Sequence, residues 1–263
     1  MSPARTRIHP TALIDPRAEL APDVTVGPFA VIGPDVRLGS ETSVGAHAVV
    51  HGPTVMGAQN VVHPHAVLGE PAQHLTDPSG PRARLEIGGG NIFRELVTVH
   101  RGSGAEGVTR IGNFCFFMAQ THVAHDCLVG SGAQLAGGAH LAGHVQVGEA
   151  AILGGLAAVH QFARIGEHAF VAAGAMVSLD VPPYCLATGD RARLHGLNLV
   201  GLRRAGIGGD ALAALKAAYR LLFRSELPLS AAIARVSDEF PPTREVARLV
   251  AFCASSERGV SQG

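Results

Sequence analysis

Fourteen histidines stand in a chain of 263 residues, and several recur at intervals of eighteen. His125, Gly143 and Gln161 form one such series, and Asp126, His144 and Phe162 form the next. Ala124, Ala142 and His160 form the one before, and His122 and His140 make a separate pair at the same interval. Imidazole is the side chain whose unperturbed pKa lies near neutrality, so histidines grouped beside an Asp suit proton transfer. A glycine among them lets a backbone N–H approach a developing oxyanion. A second chemistry is open to the same residues, because three converging imidazoles would hold zinc.

An interval of eighteen brings side chains together only if the chain winds in coils of that length. A finer repeat says that it does. An aliphatic or similar apolar residue recurs every six positions from Ile8 to Leu68, again at Ile87, Phe93 and Val99, and again from Ile111 to Val177, with twenty-six matches in all. Four places after it stands a small residue, such as Ala12, Ala30, Ala48, Ala133 or Ala169. Each hexad supplies a short strand and a turn, and three hexads make one coil of a stacked parallel β-helix. The large residue points inward, and the small one is expected to let the chain turn at the corner. A narrow core of Val, Ile and Leu leaves no place for an indole, which accounts for the absence of Trp. On this winding His125, Asp126, His144, His160 and Gln161 converge on one edge across three coils.

The β-helix is expected over residues 1–190, with loop excursions near 70–86 and 101–110 where the register breaks. Residues 191–263 form an α-helical C-terminal domain. Helices are predicted over 210–223 with Asp210 as N-cap, over 230–240 and over 243–252, punctuated by Pro228, Pro241 and Pro242. The tail past Gly259 reads as frayed.

Formal net charge is zero, with 21 Lys+Arg against 21 Asp+Glu, which argues against a general nucleic-acid or anionic-membrane binder. The balance is uneven along the chain. Residues 1–190 hold 10 Arg and 15 acids, hence −5, and residues 191–263 hold 10 Arg, one Lys and 6 acids, hence +5. That basic segment would attract an acidic partner. Cys115, Cys127, Cys185 and Cys253 form no CxxC motif and read as reduced thiols, Cys115 and Cys127 filling small-residue slots of the repeat. No apolar run opens the chain and no window is long and apolar enough to span a membrane, so the expected location is cytoplasmic.

Two stretches are more specific than the hexads. One is HVAHDCLVG, from His122 to Gly130, followed by Gly143, His144, His160, Gln161 and Phe162. The other is DVPPY, from Asp180 to Tyr184, followed by GLNLVGLRR, from Gly196 to Arg204. Arg94 and Glu95 with VTVHRG ending at Gly102, and Ser256 to Gly259, agree with them. Together they resemble the acyl-ACP:UDP-N-acetylglucosamine O-acyltransferase family of lipid A biosynthesis, along nearly the whole chain. The resemblance implies a left-handed β-helix in a homotrimer with active sites between subunits. It implies transfer of a 3-hydroxyacyl chain from acyl carrier protein to the sugar 3-hydroxyl of UDP-N-acetylglucosamine, with no metal and no bound cofactor. His125 would be the general base, Asp126 would orient it, and the Gly143 N–H would stabilise the oxyanion. His122, His144, His160 and Gln161 would contact substrate, and Asn198 and Arg204 would bind the nucleotide. Gln73 and His100 would come from a neighbouring subunit, Ala173 would help set acyl length, and the acidic carrier fits the +5 segment.

The family loop commonly reads Gln-Asp-Leu-Lys where this chain has Gln73, His74, Leu75 and Thr76. Either His74 replaces the acid as a hydrogen-bonding group, or the acceptor is another nucleotide-sugar such as a 3-amino UDP-sugar, giving an amide. Arg204 is followed by Ala205 instead of a second basic residue, and Arg191 stands where a His is common. A zinc hydrase of the gamma carbonic anhydrase type is the alternative from outside the family.

Overall fold

A computed structural model describes residues 6–240 and 243–263, so Pro241 and Pro242 lie outside the described residues. Residues 6–180 wind as a left-handed parallel β-helix with three sheets of 9, 9 and 8 short strands, one on each face of a triangular prism. Register follows the hexad: Phe116 lies beside Gln134, His122 beside His140 and Leu128 beside Gln146, each eighteen residues apart. The two excursions stretch that spacing, so that Met56 pairs with Ile87 and Ile87 with Ile111.

The repeating apolar residues fill the interior. Ile32, Leu68, Phe93, Val123, Leu141 and Val171 are each at most 1% exposed, and the Phe93 and Phe117 rings stack 4.9 Å apart. The small-residue slots are buried too, with Ala30, Ala48, Cys127 and Ala133 at 0%. The turn itself is made one residue earlier than the sequence reading supposed. Sixteen non-glycine residues, among them Phe29, His47, Asp126, His144 and Phe162, take φ between 52° and 67° just where each corner bends. The small residue that follows faces inward, because the corner leaves little interior volume. At most corners the amide of the left-handed residue donates to a carbonyl one coil back, as His144 N does to His125 O and Phe162 N to Gly143 O. This ladder fixes the stacking of side chains at each edge.

A hairpin of Cys185–Thr188 against Arg193–Leu197 extends the first sheet beyond residue 190. Four helices follow: α1 (Leu199–Arg204), α2 (Gly209–Phe223), α3 (Leu229–Glu239) and α4 (Arg244–Ala254). The N-cap of α2 is Gly208, not Asp210, which instead sits in the first turn where its charge complements the helix dipole. Thr243 Oγ1 caps α4 by accepting from Val246 N. Leu215, Tyr219 and Leu222, spaced by four and three, turn one face of α2 inward with Val236 of α3 and Leu249 of α4.

The chain end is not frayed. Asp180 N donates to Gly259 O, Ser261 N to Asp180 O and Leu194 N to Gln262 O, and Val260 and Ser261 are buried. Asp180, 1% exposed, also accepts from Arg164 N and Nε and from Ser256 Oγ. A second clasp joins α4 to the prism: Arg248 and the Tyr184 hydroxyl both bond Glu167. Burial alone would raise the Glu167 carboxyl, but those two partners outweigh it and hold it below its ordinary range.

Candidate functional site

The edge between the second and third faces carries the histidine series. His125 occupies the corner of one coil, and its Nδ1 lies 2.8 Å from Asp126 Oδ2. Both are enclosed, with side-chain exposures of 11% and 13%. A carboxylate accepts only, so Nδ1 carries the proton and Nε2 is left as the basic nitrogen. Asp126 Oδ2 accepts in addition from the Ser103 N–H at 3.0 Å and the Ser103 hydroxyl at 2.7 Å. Burial by itself would raise the Asp126 carboxyl, but the bonds from His125 and Ser103 prevail and keep it below the usual carboxylate range. It stays ionised and holds His125 in one tautomer.

Gly143 stands one coil above. A Cβ there would meet His125 Cε1 at 2.6 Å and Nε2 at 2.7 Å, so only glycine lets the backbone come this close to the free edge of the imidazole. The Gly143 carbonyl accepts from Phe162 N, and its own N–H has no acceptor among the described residues. Apart from Arg101, whose N–H donates to Glu70 O, the other amides at that position of the hexad have no backbone acceptor among the described residues, which is why Pro28, Pro34 and Pro64 are tolerated there. Here the residue with the open amide lies against the His125 ring. His144 completes the wall: its ring stands edge-on to His125 at 5.2 Å and stacks on Phe162 at 4.6 Å.

Beside this edge, on the second face, runs a ladder of imidazoles: His100 and His122 lie 5.3 Å apart, and His122 and His140 5.8 Å. Burial, reinforced by neighbouring His100, His140 and His125, pushes His122 down to about 4, so it is neutral near pH 7. His122 Nδ1 pairs with Thr98 Oγ1 at 2.8 Å, and His100 Nδ1 donates to Pro71 O at 2.6 Å. Within one chain His100 thus lies beside His122. The first excursion likewise brings in His74, whose ring is edge-on to His125 at 5.5 Å. His74 Nδ1 accepts from Asp77 N at 2.9 Å, and Gln73 is exposed on the same loop.

His160 and Gln161 lie a further coil along and are exposed, with His160 Nδ1 paired to Arg258 Nη2 at 2.7 Å. A cleft of about 550 Å³ runs from Asp126, His144 and Phe162 over Arg164 to Arg258. Asn198 and Arg204 line a different cleft of about 730 Å³, floored by Ile152, Phe170 and Leu197 on the first face. There Asn198 Oδ1 accepts from Gly201 N and caps α1, while Nδ2 donates to His168 O. Ala173 is exposed on another edge, between the first and second faces. A single chain thus does not join Asn198, Arg204 or Ala173 to the His125 corner. A wider cleft of about 910 Å³ along the third face contains no histidine, so its size does not mark the chemistry.

His125, Asp126 and His144 offer three donor atoms within 4.8 Å of one another. Two imidazoles and one carboxylate are not the three histidines that the zinc reading needs. The carboxylate oxygen is already engaged by His125 and Ser103, and His125 Nδ1 points to it. Sequence reasoning did not single out Ser103 or Thr109, whose hydroxyl accepts from Asp126 N at 2.8 Å. A buried Thr in a small-residue slot of the hexad was the available signal for Thr109.

A prism of hexads with a carboxylate-held histidine against an open backbone amide defines a hexapeptide-repeat acyltransferase. The family model described as Udp N-acetylglucosamine O-acyltransferase, Domain 2, matches residues 180–261. The curated acyl-[acyl-carrier-protein]–UDP-N-acetylglucosamine O-acyltransferase of Syntrophobacter fumaroxidans is 45% identical over 97% of this chain and 99% of its own. Its counterpart from Thiobacillus denitrificans is 45% identical over 96% of this chain and 98% of its own. The solved structure of LpxA from Acinetobacter baumannii superposes with a TM-score of 0.93 at 38% identity, covering 97% of this chain and 99% of that one. The chain belongs to the acyl-[acyl-carrier-protein]–UDP-N-acetylglucosamine O-acyltransferase family. That membership removes the zinc hydrase reading.

Proposed function

We propose that this enzyme transfers a 3-hydroxyacyl group from acyl carrier protein to the 3-hydroxyl of UDP-N-acetylglucosamine, the first step of lipid A biosynthesis. The observation that carries the mechanism is His125, held by Asp126 at 2.8 Å with its free edge against Gly143. His125 Nε2 takes the proton of the sugar hydroxyl as that oxygen attacks the thioester carbonyl. The Gly143 N–H stabilises the tetrahedral oxyanion. Collapse breaks the C–S bond, and the departing thiolate takes the proton back from His125. His122, neutral, and His144 line the acyl or sugar site, and His160 and Gln161 extend it along the coils.

The active unit is a homotrimer in the cytoplasm. Support for an assembly comes from the two separate clefts, since Asn198 and Arg204 reach a His125 corner only from another copy. No helix of the described residues is long and apolar enough to cross a membrane. Ala173 acts on acyl length from its own edge, and Gln73 meets substrate from the excursion.

The loop favours one second reading. His74 and Thr76 stand where an acid and a base are common, and a 3-amino UDP-sugar would then give an amide. An assay with acyl carrier protein thioesters and both sugars separates the two. The product from the preferred acceptor is expected to be an ester, cleaved by mild alkali. A product that survives alkali selects the amide.

A further inference from the structure

We propose that Ser103 is a positioning residue for this transfer, acting through Asp126 on His125; the proposal rests on the general-base reading of His125. Ser103 is buried and lies on the second excursion, a segment with no role in the repeat. Its N–H and its hydroxyl both donate to Asp126 Oδ2, the oxygen that receives His125 Nδ1–H. The other oxygen is walled in by Gly107, where a Cβ would come within 2.6 Å of Asp126 Oδ1. The loop is closed on itself by Gly107 N to Ser103 O at 3.0 Å, and tied to the first excursion by Gly80 N to Gly104 O at 2.7 Å. That first excursion brings His74 against His125. The two loops form a brace around the dyad.

The brace resolves a competition. His144 Nε2 lies 3.7 Å from the same Asp126 oxygen, on a side chain 40% exposed. Both imidazoles attract the carboxylate, but only the bond to His125 sets up the base. Two donors from Ser103 pin the oxygen at the His125 distance. Without the hydroxyl, the carboxylate gains freedom to turn to His144, and His125 loses its fixed tautomer.

The test compares kcat and KM of Ser103→Ala, Ser103→Thr, Asp126→Ala, the Ser103→Ala/Asp126→Ala double variant and His125→Ala in the acyl-transfer assay. Ser103→Ala is expected to lower kcat about tenfold, the scale of one charge-assisted hydrogen bond, with both KM values within twofold. Ser103→Thr, which keeps the hydroxyl, restores kcat to within about threefold. In the Asp126→Ala background Ser103→Ala costs nothing further, because the group it acts through is gone. A Ser103→Ala enzyme within twofold of wild type overturns the proposal, as does a further tenfold loss on top of Asp126→Ala. If Ser103→Ala melts well below wild type, Ser103→Cys takes its place in the same comparison. His125→Ala distinguishes the two levels. An inactive His125→Ala beside a fully active Ser103→Ala sinks the Ser103 role alone, whereas an active His125→Ala sinks the base assignment and the proposal with it.

Discussion

Gly143→Ala adds one methyl group to the backbone that faces the catalytic imidazole. The added Cβ would lie 2.6 Å from His125 Cε1 and 2.7 Å from Nε2. Comfortable carbon contacts begin near 3.5 Å, so the ring must retreat by about 1 Å. It has little room, because Asp126 holds Nδ1 and His74 and His144 stand edge-on at 5.5 and 5.2 Å. Nε2 is therefore displaced from the sugar hydroxyl, and a misplacement of about 1 Å costs roughly 10²-fold in rate. Folding is touched far less. Gly143 does not take positive φ, so alanine fits its backbone and recovers about 0.4–1 kcal/mol through the unfolded chain, offsetting part of the clash. The expected result is a kcat about a hundredfold lower, with a melting temperature within a few degrees of wild type. Steady-state kinetics with saturating acyl donor, paired with thermal unfolding, measures both. A variant within threefold of wild-type kcat would refute the close approach of this amide and the imidazole as a catalytic arrangement.

Other consequences follow from the same geometry. His122 releases its proton at about 4 in the fold against 6.5 when exposed, so below 6.5 the unfolded chain holds more protons. Its contribution to stability is complete above pH 6.5 and declines as pH falls toward 4; His122→Asn should flatten the melting temperature over that window, and an unchanged slope contradicts the assignment. Deleting Val260–Gly263 removes a buried valine and the bonds to Asp180 and Leu194, about 3 kcal/mol, and should lower the melting temperature by roughly 8 °C. A truncated chain as stable as wild type restores the frayed reading of the tail. Affinity for acyl carrier protein should weaken with added salt, because Arg203, Arg204, Lys216, Arg220 and Arg235 are exposed on the basic segment. Salt-independent binding would show that the segment does not meet the carrier.

The repeat was legible because a period of six reports directly on which residues point inward, and the excursions were legible because they interrupt it. The columns of His125, Gly143 and Gln161 and of Asp126, His144 and Phe162 follow from the same arithmetic, and the corner ladder reproduces them. Features off the period were not legible. Helix α1 is six residues long, too short to show a helical face, so the sequence does not reveal that Asn198 caps it. The last residues carry no pattern, and their order comes from docking on Asp180. The offset between the corner turn and the small residue needs backbone angles that composition does not contain.

Ser103 escaped for a deeper reason. Counting back eighteen from a corner finds its neighbour only when no insertion intervenes, and Ser103, on the second excursion, bonds Asp126 from 23 residues back. At ordinary corners the left-handed residue donates to a carbonyl one coil back, as Gln120 does to Glu95 and His144 to His125. At Asp126 a side chain takes that place and Thr109 Oγ1 receives the amide, as Thr11 Oγ1 does for Phe29 and Asp23 Oδ1 for Glu41. The displaced loop folds over the corner and offers Ser103 to the carboxylate. One coil later the ladder is intact, His144 is 40% exposed at its side chain, and no second dyad forms. The interruption thus converts a repeating surface edge into an enclosed one, which places the reactive histidine at this coil of the prism.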